Sequence, residues 1–270
     1  AMFSGLSFLK GPMRVDDTAA EIIVGVSAFF GMIFFIWFGK MSDRIGRKLP
    51  IVWGYALTLL TLFPLFWLMG SAANPGLALA AERAPVTVSG DLCDFDPFAK
   101  KQLGACGAVL GQLSQLGVSY SRGNEMPVGA PTDWVIVKAG SETLDPENVQ
   151  KGLEAADYDF AKQIPPAGNI ALIMLALLGL CALSGATYGP VAALLSEMFP
   201  PRVRYSSMSI PYHIGTGYFG GFLPFIASYI VATTGNPYSG LWYTMAVVAV
   251  ALAVAAWGLK SGMRTDFVDD

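Results

Sequence analysis

The sequence predicts an all-α integral membrane protein with about five transmembrane helices, a helical stub before them and a small α+β extracytoplasmic insert. Hydrophobic residues make up 54% of the 270 residues and charged residues only 14%, whereas soluble domains carry about 25% charged residues. Four stretches contain no Asp, Glu, Lys or Arg, namely 22–39, 49–81, 163–196 and 205–259. Such long uncharged stretches are typical of membrane spans rather than of buried soluble helices.

Charges and turn sequences delimit each span. A helix crosses the hydrocarbon layer with roughly 20 apolar residues, and the turn sequence 233–237 divides the longest uncharged stretch into two crossings. We therefore expect five spans, at about 18–39, 50–71, 168–195, 207–231 and 239–259. Residues 1–9 look like the end of another helix but cannot cross a bilayer, so we expect the chain to begin inside a helix of a longer protein.

Positive charges predict the orientation of the spans. Lys and Arg residues follow the first, third and fifth spans, in the segments 40–48, 202–204 and 260–264. Because short cationic loops stay on the cytoplasmic side, these three segments are predicted to be cytoplasmic. The segment 72–167 and the turn near Gly235 are then predicted to lie outside.

The segment 72–167 differs in composition from the rest of the chain, with twelve acidic and seven basic residues. Its apolar runs predict two short strands, at 86–88 and 134–138, and its charged stretches predict two helices, at 97–116 and 146–163. We expect these elements to form a small α+β domain.

Two cysteines of this insert, Cys93 and Cys106, lie on the side that is expected to be oxidising. A disulfide between them would close a short loop and staple a domain that is too small for a large core. Two free thiols are the alternative. Cys181 lies in the third span, where we expect it to serve packing alone.

The most specific string in the chain is the turn between the first two spans. It reads G-x-x-x-D-R-x-G-R-K and contains Gly39, Asp43, Arg44, Gly46, Arg47 and Lys48. Glycines permit a tight turn and a close helix approach, an Asp accepts bonds from an Arg or a helix N-terminus, and cations hold the turn at the membrane surface. A loop that is merely positive is the alternative, but such a loop does not require this spacing.

A second string, from Glu197 to Arg204, closes the third span and reads E-x-F-P-x-x-x-R. Together with the first string, the runs 204–215 and 220–224 and the Cys-containing insert, it resembles the metabolite:proton symporter family of the major facilitator superfamily. The resemblance covers essentially the whole chain. It implies the C-terminal part of a major-facilitator helical bundle, with the end of helix 7 and helices 8 and 9 in 1–71, the insert in 72–167, and helices 10–12 with the cytoplasmic tail in 168–270.

The resemblance also implies a function. The chain would be the C-terminal half of a secondary active transporter in the bacterial inner membrane, moving a small organic acid or osmolyte with a proton by alternating access. It would need an N-terminal helical half as its partner and no cofactor besides the coupling proton. Asp43, Arg44 and Arg47 would form a latch with Glu197 and Arg204, which opens and closes as the halves rock.

Three side chains of the third and fourth spans are candidates for the substrate or proton cavity. His213 is the only histidine, and a titratable group inside a span suggests a function. A neutral histidine bonded to a neighbouring helix is the alternative. The resemblance places Tyr188 and Tyr212 at the cavity, and packing between helices is the alternative for both.

Other function classes fit the sequence less well. A membrane-anchored extracytoplasmic ligand-binding or sensor module, built on the insert, is the alternative function. An enzyme would need a convergent nucleophile, base or metal set, and the spans offer a single histidine and no metal-ligand spacing. The net charge of −3 argues against a nucleic-acid-binding protein.

Overall fold

The computed structural model describes residues 2–99, 101–126 and 132–259. The first part of the chain forms the helices α1 (Met2–Lys10), α2 (Asp17–Ile45), α3 (Lys48–Ala73) and α4 (Pro75–Arg83). The insert follows with β1 (Val86–Gly90), α5 (Ala105–Leu116), β2 (Tyr120–Arg122), β3 (Val135–Ala139), β4 (Glu142–Leu144) and α6 (Val149–Ala155). The last part forms α7 (Ala167–Met198), α8 (Arg204–Ile214), a π-helical segment (Gly215–Gly220), α9 (Leu223–Thr234) and α10 (Leu241–Gly258).

The prediction of five spans is confirmed at the level of helix length and composition. Within the described residues, five helices are long and apolar enough to cross a membrane, namely Asp17–Ile45, Lys48–Ala73, Ala167–Met198, Arg204–Thr234 and Leu241–Gly258. We call Arg204–Thr234 the fourth span, and it consists of α8, the π-helical segment and α9. The predicted cytoplasmic tail with Lys260 and Arg264 lies outside the described residues.

Helix α7 lies at the centre of the bundle, between α2 and α3. Small residues let its backbone approach both neighbours. A Cβ atom added to Gly185 would lie 2.9 Å from the carbonyl carbon of Phe34 on α2, and one added to Gly54 on α3 would lie 2.8 Å from Cγ2 of Thr187. Apolar side chains fill the remaining space in this core, among them Phe66, Met69, Ile173, Leu177 and Leu180.

The fourth span is not a continuous α-helix. Pro211 lies inside α8 and lacks the N–H that would continue the hydrogen-bond ladder. The π-helical segment follows, and it carries three glycines in six residues. Glycine has the lowest helix propensity after proline, so the α-helical geometry is weakest at this point. The span ends at Gly235, whose φ of +73° is a conformation that favours glycine.

The insert is an α+β domain with its own hydrophobic core. Its four strands form one sheet in the order β2-β1-β3-β4, in which β1 pairs parallel with β2 and β3 pairs antiparallel with β1 and β4. The core lies between the sheet and α5, and it includes Val86, Val88, Leu110, Leu113 and Val137. Both predicted strands are present, as β1 and as β3. The structure joins Cys93 and Cys106 by a disulfide, with their Cα atoms 4.7 Å apart.

The helix predicted at 97–116 is wrong in its N-terminal part, because α5 begins only at Ala105. Side-chain bonds hold the preceding residues in a loop. Gln102 accepts from the N–H of Asp96 at 2.9 Å, and its amide donates to the Asp96 carbonyl at 2.8 Å. The N–H of Ala105 donates to the carboxylate of Asp133 at 2.7 Å, which satisfies a free donor of the first helical turn.

The helix predicted at 146–163 is also wrong in extent, because α6 covers only Val149–Ala155. Asp157 has a φ of +65°, which turns the chain away from the helix axis. Tyr158 and Phe160 then enter the core of the insert, where both are buried. Burial of these two aromatic rings outweighs the helix propensity of the charged stretch.

The close approach of α7 to α2 predicts that alanine destabilises the bundle at Gly185 but causes no clash at Gly25. Gly185→Ala would press its methyl group on the α2 backbone, so we expect overpacking to lower the free energy of unfolding by about 1–3 kcal/mol. Gly25→Ala is the matched control, since an added Cβ there has no described neighbour within 4 Å. Thermal unfolding of both variants in detergent micelles would test this. Equal melting temperatures for the two variants would contradict the packing role of Gly185.

Candidate functional site

The turn between α2 and α3 is shaped by one glycine. α2 ends at Ile45, and Gly46 takes a φ of +90° while its N–H donates to the Ser42 carbonyl at 3.0 Å. A side chain at this φ would be strained, so glycine suits the position. Arg47 follows at the start of α3, with Lys48 as the first residue of that helix. The turn thereby brings the Arg47 side chain next to the last turn of α2.

Arg47 connects the turn to the end of α7. Its Nε and Nη2 atoms donate to one oxygen of Glu197 at 3.0 and 2.8 Å, and its Nη1 forms an ion pair with Asp43. Only 12% of the Arg47 side chain is exposed, against 26% for Glu197 and 60% for Asp43. The hydrogen bond to Glu197 is the main cause that raises the pKa of the Arg47 guanidinium, and the bond to Asp43 adds to it. The cation is therefore held in its charged form between two carboxylates.

Ser42 is a member of this cluster that the sequence analysis missed. Its hydroxyl accepts from Nη1 of Arg47 at 2.7 Å and donates to the carbonyl of Gly39 at 2.7 Å. The residue is fully buried. We call Ser42, Asp43, Arg47 and Glu197 the Arg47 cluster. The only sequence signal for Ser42 was its position beside Asp43, inside the motif.

Three other motif residues lie around the cluster without joining its ion pairs. Arg44 is exposed, and no ion pair is found for it among the described residues. Arg204 starts α8, and its Nε donates to the Phe199 carbonyl at 3.2 Å rather than to an acid of the predicted latch. Gly39 faces Gly189 of α7, where an added Cβ would lie 3.8 Å from the Gly189 carbonyl oxygen. The structure thus assembles Asp43, Arg47 and Glu197 and leaves Arg44 and Arg204 apart.

A groove of about 300 Å³ opens between α7 and α8, on the side of the bundle that carries the Arg47 cluster. It is lined by Tyr188, Val191, Ala192, Leu195, Tyr205, Met208, Ser209 and Tyr212. Tyr188 and Tyr212, the two predicted cavity tyrosines, therefore line one groove. His213 is exposed beside it, with its ring 5.7 Å from that of Tyr212. Across the described ranges, no group of three or more His, Cys, Asp and Glu residues could hold a metal ion.

Known proteins with related sequences are membrane transporters. The chain is 36% identical over 76 residues to the inner membrane metabolite transport protein YhjE of Escherichia coli, across 28% of this chain and 17% of that protein. It is 32% identical over 88 residues to the citrate-proton symporter of Klebsiella pneumoniae, across 32% of this chain and 20% of the symporter. A third relative, the glycine betaine/proline/ectoine/pipecolic acid transporter OusA of Dickeya dadantii, is 31% identical over 83 residues, across 31% of this chain and 16% of OusA.

This chain is related to the metabolite transporters of the major facilitator superfamily. The predicted resemblance to such transporters is therefore confirmed over the matched segments, which cover 28%, 32% and 31% of this chain. The matched segments span a fifth or less of each relative's own length. No family profile matches the sequence, and no solved structure matches the fold. The relatives are transporters rather than enzymes, and the helices of this chain have the length and apolarity of membrane spans.

The geometry of the Arg47 cluster predicts different roles for the two arginines of the turn. Arg47→Ala would leave the carboxylate of Glu197 without its partner, and we expect the free energy of unfolding to fall by about 1–3 kcal/mol. Arg44→Ala removes the same charge from the same turn but no described ion pair, so it should unfold like the wild type. Thermal unfolding in detergent micelles would compare them. A melting temperature of Arg47→Ala equal to that of Arg44→Ala would contradict the cluster.

Proposed function

We propose that the chain is the C-terminal half of a secondary active transporter, which symports a small metabolite with protons by alternating access. The observation that carries the proposal is the Arg47 cluster, because it joins the α2–α3 turn to the end of α7 through partly buried, charge-assisted hydrogen bonds. Its relatives transport metabolites, and the one from Klebsiella pneumoniae is named as a proton symporter. A further N-terminal helical half is the proposed partner that completes the transport path.

The Arg47 cluster suits a latch that differs between two transport states. An exposed ion pair contributes little to stability, whereas a pair with a largely buried guanidinium contributes more. A contact that is made in one state and lost in the other shifts the population between the states by its full free energy. We therefore assign Arg47 and Glu197 to a gate that holds one state closed, with Asp43 and Ser42 orienting the guanidinium. Arg44 and Arg204 make no described bond to these acids, so the proposed gate leaves them out.

The proposed orientation follows from the charges. The α2–α3 turn and the segment 202–204 would face the cytoplasm, and the insert would face the periplasm or the cell exterior. The name of the Escherichia coli relative supports an inner-membrane location. The groove with Tyr188 and Tyr212 would then open toward the cytoplasm, and His213 beside it is the candidate proton carrier.

The substrate class is proposed from the relatives. One relative is named for citrate, and another is named for glycine betaine and proline. We therefore expect the substrate to be an organic acid or an osmolyte. The described residues that line the groove offer tyrosine and serine hydroxyls and no charged group, so charged contacts to the substrate would come from the other half.

Uptake into proteoliposomes tests the proposed symport. We expect substrate to accumulate when the chain is joined at its N-terminus to the helices of the other half and a proton gradient is applied. A protonophore should abolish accumulation, and the 270-residue chain by itself should show none. Citrate, glycine betaine and proline are the first substrates to compare. Accumulation that persists without any proton gradient would contradict proton coupling, and ligand binding confined to the insert would favour a sensor.

Substitutions in the α2–α3 turn test the latch. Glu197→Gln weakens a charge-assisted bond, and we expect the uptake rate of the joined protein to fall by about tenfold. Asp43→Asn should slow uptake by about threefold, because the Asp43 side chain is more exposed and its bond is worth less. Arg44→Gln is the control in the same turn and should leave uptake unchanged. Uptake kinetics of Glu197→Gln that match those of the wild type would remove the latch from the mechanism.

A further inference from the structure

The two halves of the fourth span have different surroundings. Among the described residues, α8 and the π-helical segment contain no buried residue. α8 contacts α7 along the groove, and Tyr243 of α10 donates to the Phe219 carbonyl of the π-helical segment at 3.1 Å. In contrast, α9 lies against α5 of the insert. The outer half of this span is therefore bonded to the extracytoplasmic domain, whereas α8 contacts the bundle along its α7 side.

Tyr120 of β2 makes the central contact between the insert and α9. Its hydroxyl donates to the carbonyl of Ala232, and its backbone N–H donates to the carbonyl of Gly235 at 2.9 Å. The Tyr120 side chain is buried, so these bonds are shielded from water. Gly235 fits closely on the backbone of Tyr120, where an added Cβ would overlap the Tyr120 carbonyl. Two hydrogen bonds and a close backbone approach thus fasten the end of α9.

Phe98 makes a second contact, with Phe225, which lies about two helical turns before Ala232 in α9. Its ring stacks on that of Phe225, with 4.8 Å between the centroids and 18° between the planes. The loop that carries Phe98 is connected to the rest of the insert, because the Cys93–Cys106 disulfide links it to α5. Within the loop, Gln102 bonds to both backbone groups of Asp96. The contact therefore joins α9 to the insert as a whole.

The insert is also fastened to the first span, so it provides a fixed support. The N–H of Asp16 donates to the Gln163 carbonyl at 2.9 Å, and the N–H of Gln163 donates to the Arg14 carbonyl at 3.0 Å. Lys162 adds an ion pair with Asp17, at the start of α2. Through these contacts, α9, the insert and the beginning of α2 are held together.

The π-helical segment between the two halves is a suitable hinge. A Cβ atom added to Gly215, Gly217, Gly220 or Gly221 would have no described neighbour within 4 Å. Close packing within the described chain therefore does not require glycine at these positions. Their remaining physical effect is to lower the cost of changing the backbone dihedrals, as expected where a helix bends.

We propose that the insert anchors the outer half of the fourth span, so that α8 swings against a fixed α9 at the π-helical segment. The motion of α8 would widen or narrow the groove that holds Tyr188 and Tyr212, while the insert keeps α9 in place. This role of the insert goes beyond the proposed symport, and its test measures no transport, so failure of an uptake assay leaves it unaffected.

Pulsed electron–electron double resonance on the 270-residue chain in nanodiscs tests the anchor. Spin labels are attached in pairs after Cys181→Ala, with Ser141→Cys on the insert as the common reference. Ser228→Cys reports on α9 and Ser206→Cys reports on α8, and all three positions are exposed. We expect a narrow distance distribution from the insert to α9 and one about twice as wide from the insert to α8. Equal widths for the two pairs would overturn the proposal.

Removing the anchor should release α9. In the double variant Tyr120→Phe/Phe98→Ala, we expect the insert–α9 distribution to widen by about twofold, because the bond to Ala232 and the stacked ring pair are both lost. Tyr158→Phe is the matched control, since it removes a tyrosine hydroxyl that donates to Ala84 at 2.7 Å without touching α9. An unchanged width in the double variant would overturn the anchor, provided that thiol titration shows the Cys93–Cys106 disulfide intact. If the double variant does not fold, the insert–α9 distance distribution of Tyr120→Phe is measured instead. We expect it to widen, and an unchanged width would overturn the anchor.

Discussion

Apolar helices in a bilayer gain little by hiding apolar surface from each other, so α7 must come close enough to α2 and α3 for dense van der Waals contact. Glycines at the crossings provide this approach, as Gly185 does against Phe34 and Gly54 against Thr187. The rest of the bundle depends on this packing. It fixes where the two ends of α7 lie, and the functional features of the chain are found next to those ends.

At the end of α7 that carries Glu197, the packing has an electrostatic consequence. The close approach of Gly39 and Gly189 brings the last turn of α2 beside α7, and the Gly46 turn then directs Arg47 toward Glu197. A longer distance between the helices would leave the guanidinium in water, where its pairs would be weak. The ion pairs and the glycines are therefore parts of one arrangement, and a motion that separates the helices must break the ion pairs.

Sequence reasoning succeeded where one physical term dominates. Charged residues are costly in hydrocarbon, so the spans can be read from the uncharged stretches of the sequence. The strands β1 and β3 can be read from their short apolar runs. It failed where distant residues decide the outcome. Asp133 caps α5 at Ala105, and Tyr158 and Phe160 are buried in the core of the insert beyond the end of α6. Both contacts shorten a predicted helix, and neither can be read from the helix propensity of the local sequence. Ser42 was missed for the same reason, because its partner Arg47 is defined by the turn geometry.

The anchor and the Arg47 cluster act at opposite ends of the bundle, and their chemistry differs accordingly. The insert holds α9 by two hydrogen bonds, a stacked aromatic pair and a disulfide-tied loop, which are contacts that salt or a moderate change in pH would alter little. The cluster holds the α2–α3 turn by ion pairs with Asp43 and Glu197, which depend on charge and weaken when they become exposed. The insert also pairs with α2 through Lys162 and Asp17, but its bonds to α9 are neutral, so a loss of charge at the Arg47 cluster would leave α9 in place. In the proposed transporter half, this difference would let the inner side open while the insert keeps α9 in place.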